Sequence, residues 1–199
     1  MGPATQIAHY RIVAKLGEGF AYDANWSRDG KNVVFTNTLP KSGNDIWVLP
    51  NPMGNAAARK PYGFVQSDAY EFAGSISSDG KYLAYSSDEN RTMQVYVQSF
   101  PGEGKFQIST NGGTRSVWRR DGKEIFYIDV AGKLMVVDVK AGARFEHGLP
   151  KPLFDVHIIN SARVDVSPDG KRLLIPTTGG ELATTSLMVV LNWYAGLKR

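Results

Sequence analysis

The chain has no cysteine and only three histidines, His9, His147 and His157, among 199 residues. The first absence excludes disulfides, thiolate-held zinc and thiol nucleophiles. The second argues against a histidine metal centre, because no two histidines stand at a helical ligand spacing. A cysteine-free chain suits either redox setting, so the compartment stays open on this ground. No apolar run approaches the roughly 18 residues that span a bilayer. The first residues lack a charged start followed by an apolar stretch, so no signal peptide is expected and the chain as written reads as cytoplasmic. Charge of one sign is also scarce. Lys and Arg number 23 against 19 Asp and Glu, a net +4, and the cations are scattered, which gives no nucleic-acid footprint. Nor does any long 3.6-residue periodicity appear, so almost no helix is expected.

Turn formers are abundant, with 21 Gly and 10 Pro set in short clusters between apolar runs. One turn recurs four times: SRDGK (27–31), SSDGK (77–81), RRDGK (119–123) and SPDGK (167–171). Its Asp falls at 29, 79, 121 and 169, intervals of 50, 42 and 48 residues. An interval of this size matches a four-stranded propeller blade. Three residues before each Asp stands an apolar residue: Trp26, Ile76, Trp118 or Val166. Two apolar strands follow each turn, as in NVVFTN (32–37) and DIWVLP (45–50), or EIFYID (124–129) and KLMVVDV (133–139). Gly tolerates the positive φ of a tight hairpin, and Asp bonds its own backbone there. The turns predict hairpins rather than metal loops. DANWSRDG (23–30) has its oxygen ligands out of register with a calcium loop, and no metal site is expected.

The units resemble the TolB-like, WD-type propeller repeat over about residues 20–199. The segment 112–154, with 164–176 and 189–199, is similar to the C-terminal propellers of bacterial serine/threonine protein kinases, notably of acidobacterial type. That resemblance implies an all-β fold, a β-propeller of four TolB-like blades at about 20–66, 67–110, 111–156 and 157–199. It also implies a sensor or interaction role in signalling, with the parent propeller able to be extracytoplasmic. IAHYRIVAKLGEGF (7–20) looks like the opening of a protein kinase, so residues 1–19 read as a kinase-like remnant. The run Gly17, Glu18, Gly19, Phe20, Ala21, Tyr22 lacks the third glycine of the phosphate loop, and no catalytic-loop, metal-binding or strand-lysine motif follows. Kinase activity is not expected, because positioning without lysine, base and metal ligands transfers no phosphate. The last unit has no clear fourth strand. HYRIVAKL (9–16) is therefore expected to pair with SLMVVLNW (186–193) and fasten the ring, which would leave a monomer; an open ring would dimerise.

A propeller's innermost strands line its axis, and here they precede each Asp-Gly turn. Four residues before the Asp lie Asn25, Ser75, Val117 and Asp165; six before lie Asp23, Ala73, Arg115 and Arg163. The second ring can grip a carboxylate or phosphate, with Tyr22 and Phe72 as aromatic walls. The same Arg and Asp could instead pair with each other and order the bore. Asp23 and Asp165 could meet as a catalytic pair or simply face channel water, and no nucleophile elbow accompanies them. Trp26 and Trp118 are expected in the core between blades. The leading expectation is a non-catalytic binding or scaffold module. It would need no cofactor and would take a protein or small anionic ligand at the channel mouth, with no nucleic acid and no membrane span. The alternatives are a fragment that carries the kinase name without its activity and a small-molecule enzyme that uses the channel.

Overall fold

A computed structural model describes residues 20–40, 43–55, 57–141, 144–156, 163–167 and 169–178, and the backbone of strands at 6–7, 10–11 and 185–191. The described residues are all strand and turn. Among them, no helix is long and apolar enough to cross a membrane. A small hairpin, β1 (Gln6–Ile7) with β2 (Tyr10–Arg11), comes first. Unit 1 is β3 (Phe20–Trp26), β4 (Asn32–Leu39), β5 (Gly43–Pro50) and β6 (Tyr62–Val65). Unit 2 is β7 (Glu71–Ile76), β8 (Tyr82–Ser87), β9 (Gln94–Ser99) and β10 (Lys105–Gln107). Unit 3 is β11 (Thr114–Trp118), β12 (Glu124–Ile128), β13 (Lys133–Ala141), β14 (Phe145–His147) and β15 (Lys151–Asp155). Unit 4 is β16 (Asp165–Val166), β17 (Arg172–Thr178) and β18 (Thr185–Leu191). Each unit is an antiparallel meander, with β13 of unit 3 pairing both β14 and β15.

The four turns are hairpins built by their own side chains. Gly30, Gly80, Gly122 and Gly170 take φ of 71°, 74°, 72° and 67°. In unit 1 the Lys31 amide donates to Asp29 Oδ1 at 3.0 Å, while Ser27 Oγ donates to the same oxygen at 2.7 Å and accepts from the Asn32 amide at 2.9 Å. Units 2 and 4 repeat the pattern with Ser77–Asp79 and Ser167–Asp169. In unit 3 Arg119 replaces the serine, and its guanidinium reaches Glu124 at 3.1 Å instead.

Alternation along each second strand sends apolar side chains to both faces, as a sheet covered on both sides requires. Val34 of unit 1 meets Leu83 and Tyr85 of unit 2. Tyr82 and Ala84 turn the other way, towards Ile125 and Tyr127 of unit 3. Phe126 and Ile128 then meet Leu173 and Ile175 of unit 4. Each fully buried side chain of this kind contributes about 1.5–3 kcal/mol, so the stack is held by its interfaces. Sheet packing runs from unit 1 to 2, 2 to 3 and 3 to 4.

Two expectations are corrected. Tyr10–Arg11 does not pair with the last strand. It pairs with Gln6–Ile7 in a sheet of its own, and the remainder of 9–16 lies outside the described residues. A two-residue connection costs far less closure entropy than pairing with a strand at the opposite end of the chain. Trp26 is not core. It is 54% exposed, whereas its counterparts Ile76, Trp118 and Val166 are buried. Those three are clasped by the preceding unit, as when Trp118 Nε1 donates to the Ser75 carbonyl at 3.1 Å.

Candidate functional site in the bore

The innermost strands share an irregularity. In β3 the register shifts between Tyr22 and Asn25, in β7 between Phe72 and Ser75, and in β11 between Thr114 and Val117. Two residues there face one residue of the neighbouring strand: Phe35, Tyr85 or Tyr127, each buried. The first residue of each bulge is left-handed although none is glycine: Asp23 at 53°, Ala73 at 58° and Arg115 at 59°. Such bulges sharpen the local twist and re-aim the side chain. The freed amides are satisfied by the preceding unit. Ala73 N–H donates to Thr36 Oγ1 at 3.3 Å, and Arg115 N–H donates to Ser86 Oγ at 3.2 Å. Thr36 and Ser86 hold the same place in their units and are fully buried.

The bulges gather one cavity of about 320 Å³. Asp23, Asn25, Ala73, Ser75, Arg115, Val117, Arg163 and Asp165 all line it, so every unit contributes. Arg163 crosses the bore. Its Nη1 donates to the Ala24 carbonyl at 2.8 Å and its Nη2 lies 3.4 Å from the Gly74 carbonyl, the same bulge position in units 1 and 2. These hydrogen bonds fall on neutral acceptors, and among the described residues no carboxylate forms an ion pair with it. Arg115 is half-buried, and desolvation pulls its guanidinium below the ordinary arginine value, opposed by the nearby Asp23 charge.

Tyr22 and Phe72 stand apart from these eight. Tyr22 packs on Phe20 at 5.8 Å and its hydroxyl accepts from Asn44; Phe72 stacks edge-on with Tyr70 at 6.1 Å. Neither lines this cavity, because each precedes the bulge and the extra residue breaks the facing. Burial raises the Tyr22 phenol, with Tyr70 and Asp23 adding to the shift. At this end of the strands lie buried polar residues that the sequence did not single out: Asn44, Asp45, Glu71, Ser86 and Ser87. Burial lifts the Glu71 carboxyl above its ordinary value, the Ser67 hydroxyl opposes this, and the Asp45 charge adds to it. Glu71 Oε1 accepts from Ser67 Oγ at 2.5 Å, and Oε2 is buried without a hydrogen bond.

No protein-family profile and no curated protein matches the chain. Solved structures do. TolB from Acinetobacter baumannii is 18% identical, with a TM-score of 0.64 over 85% of this chain and 40% of its own. A protein described as a TolB of Agrobacterium tumefaciens is 15% identical, with a TM-score of 0.64 over 88% of this chain and 64% of its own. Puromycin hydrolase is 14% identical, with a TM-score of 0.60 over 89% and 28%. The chain thus spans less than two thirds of each of these proteins. At such identities the likeness is one of fold, and the fold is that of the TolB-like β-propellers.

Proposed function

We propose that the chain is a non-catalytic binding or scaffold module whose contact site is the bulge end of the bore. The observation that carries this is the convergence of four units on one cavity holding Arg115 and Arg163. Arg163 is held by neutral carbonyls and Arg115 is partly desolvated, so both favour an incoming anion. The ligand class is a carboxylate or phosphate, free or presented by a protein partner, and it competes with Asp23 and Asp165 for the two guanidiniums. The four units are read as blades about a common axis. In the parent protein the module would be the sensing half of a bacterial serine/threonine kinase, following the resemblance of its last two units. The kinase-like opening, residues 7–20, lies almost wholly outside the described residues.

A small-molecule enzyme that uses the bore is the second reading. The hydrolase name among the fold neighbours favours it, although function travels with a site rather than a fold. Calorimetric screening of carboxylates and phosphates against wild type and Arg115→Ala tests the first reading. The expected outcome is a set of hits whose affinity falls at least about tenfold in the variant, the loss of one charge-assisted bond. A screen in which every hit binds both proteins equally removes the site. Turnover of any hit by wild type would favour the enzyme instead.

A further inference from the structure

Beyond the bulges, towards the Asp-Gly turns, the bore continues as a second cavity of about 300 Å³. Trp26, Arg28, Trp118, Arg119, Arg120 and Asp165 are among its lining residues. Its charge differs from that of the first. The bulge end sets two arginines against Asp23 and Asp165. At the turn end Asp165 is the single carboxylate among the described lining residues, against three arginines. Arg119 is engaged by Asp121 at 3.4 Å and Glu124 at 3.1 Å. Asp29, beside Arg28 in sequence, pairs with Lys31 at 3.7 Å. Arg28 Nη1 donates to the Arg120 carbonyl at 3.3 Å, which ties unit 1 to unit 3 across the mouth, and among the described residues no carboxylate pairs with Arg28.

The second observation is Trp26. It occupies a repeat position whose other three residues are 7%, 5% and 3% exposed, yet it is itself 54% exposed and lines this mouth. An indole lining the same mouth as two guanidiniums offers an apolar face and a charge-assisted grip together.

We propose that the turn-end mouth binds a small anion carried on an aromatic ring. Trp26 takes the ring, and Arg28 and Arg120 take the carboxylate or phosphate. The site shares Trp26 and Asp165 with the bulge end but draws on Arg28 and Arg120 in place of Arg115 and Arg163, and its test separates the two. Phenyl phosphate, benzoate and inorganic phosphate are titrated by calorimetry into wild type, the double variant Arg28→Ala/Arg120→Ala, Trp26→Ala and Arg115→Ala. Both arginines are exposed, and matched circular dichroism with matched urea midpoints establishes that the variants fold. Phenyl phosphate is expected to bind wild type at least about tenfold tighter than inorganic phosphate, and the double variant to lose at least about tenfold. Trp26→Ala loses the advantage over inorganic phosphate, and added salt weakens binding, as for any exposed charge. Benzoate binding as tightly as phenyl phosphate assigns a carboxylate ligand, and benzoate binding more weakly assigns a phosphate. Arg115→Ala weakens only binding at the bulge end and leaves the preference for phenyl over inorganic phosphate, and its dependence on Trp26, Arg28 and Arg120, as in wild type. Absent binding, equal affinity for inorganic and phenyl phosphate, indifference to the double variant, or loss of the phenyl preference in Arg115→Ala would each overturn the proposal.

Discussion

Asp23, Ala73 and Arg115 sit in left-handed backbone that costs a non-glycine residue about 1–2 kcal/mol. The strain recurs at one register position in three units, which marks it as a building device rather than an accident. It aims charged and small side chains alike into the bore, so the identity of the residue sets the chemistry while the bulge sets the place. Glu71 shows a different cost at the same end of the strands. Well below its ordinary value the carboxyl is protonated in folded and unfolded chains alike, and its burial adds no ionic penalty. As pH rises through that value towards the raised one, the unfolded chain releases its proton first, and folding must then retain the proton or bury the charge. Wild type therefore loses stability across this window. Glu71→Gln keeps the Ser67 bond and carries no charge. Its urea midpoint is expected to exceed that of wild type at pH 7.5 and to converge with it near pH 3.5. A constant difference at both pH values would contradict a buried, titrating Glu71.

At the scale of elements, the units are coupled by hydrogen bonds as well as by apolar contact. The Ala73 amide, freed by its bulge, depends on the Thr36 hydroxyl of the unit before. Thr36→Val preserves shape and removes the acceptor, leaving a buried donor unsatisfied at a cost of about 1–3 kcal/mol. Urea unfolding should show that loss, hydrogen exchange should show the Ala73 amide opening faster, and Thr36→Ser should restore both. The turns were legible in the sequence because Asp-Gly chemistry is local and recurs four times. The eight bore residues were legible too, because in three units the bulge falls at the same distance before the Asp and counting back from it survives, and Arg163 keeps that spacing in the fourth. Tyr22 and Phe72 were not, because a one-residue insertion reverses the facing of what precedes it, and only unit 2 carries a glycine, Gly74, in that bulge. Trp26 was illegible for a different reason. Its sequence position matches Trp118, and only the neighbouring unit decides whether such a residue is covered. Thr36 and Ser86 read as ordinary strand residues, since their partners lie in another unit.

At the scale of the whole molecule, the question is what joins the last unit to the first. Units 1 to 4 stack in order through shared apolar faces, and among the described residues no comparable sheet packing joins unit 4 to unit 1. Trp26 and Leu174, on those two units, are both exposed. The described link runs instead through the bore, where one Arg163 guanidinium meets the bulge carbonyls of units 1 and 2. Among the described residues, unit 4 is then held on one side by its core with unit 3 and on the other by this one side chain, which makes it the unit most able to open locally. Arg163→Ala should lower the protection of the Leu173 and Ile175 amides in native-state hydrogen exchange by on the order of 1 kcal/mol, while Leu83 and Tyr85 amides keep theirs. Arg163→Lys should fall between, because one ammonium reaches a single carbonyl where the planar guanidinium spans two. Equal loss in all units would mean that the chain unfolds as one body and that Arg163 does not select unit 4. No loss would mean that unit 4 is fixed by contacts other than this one.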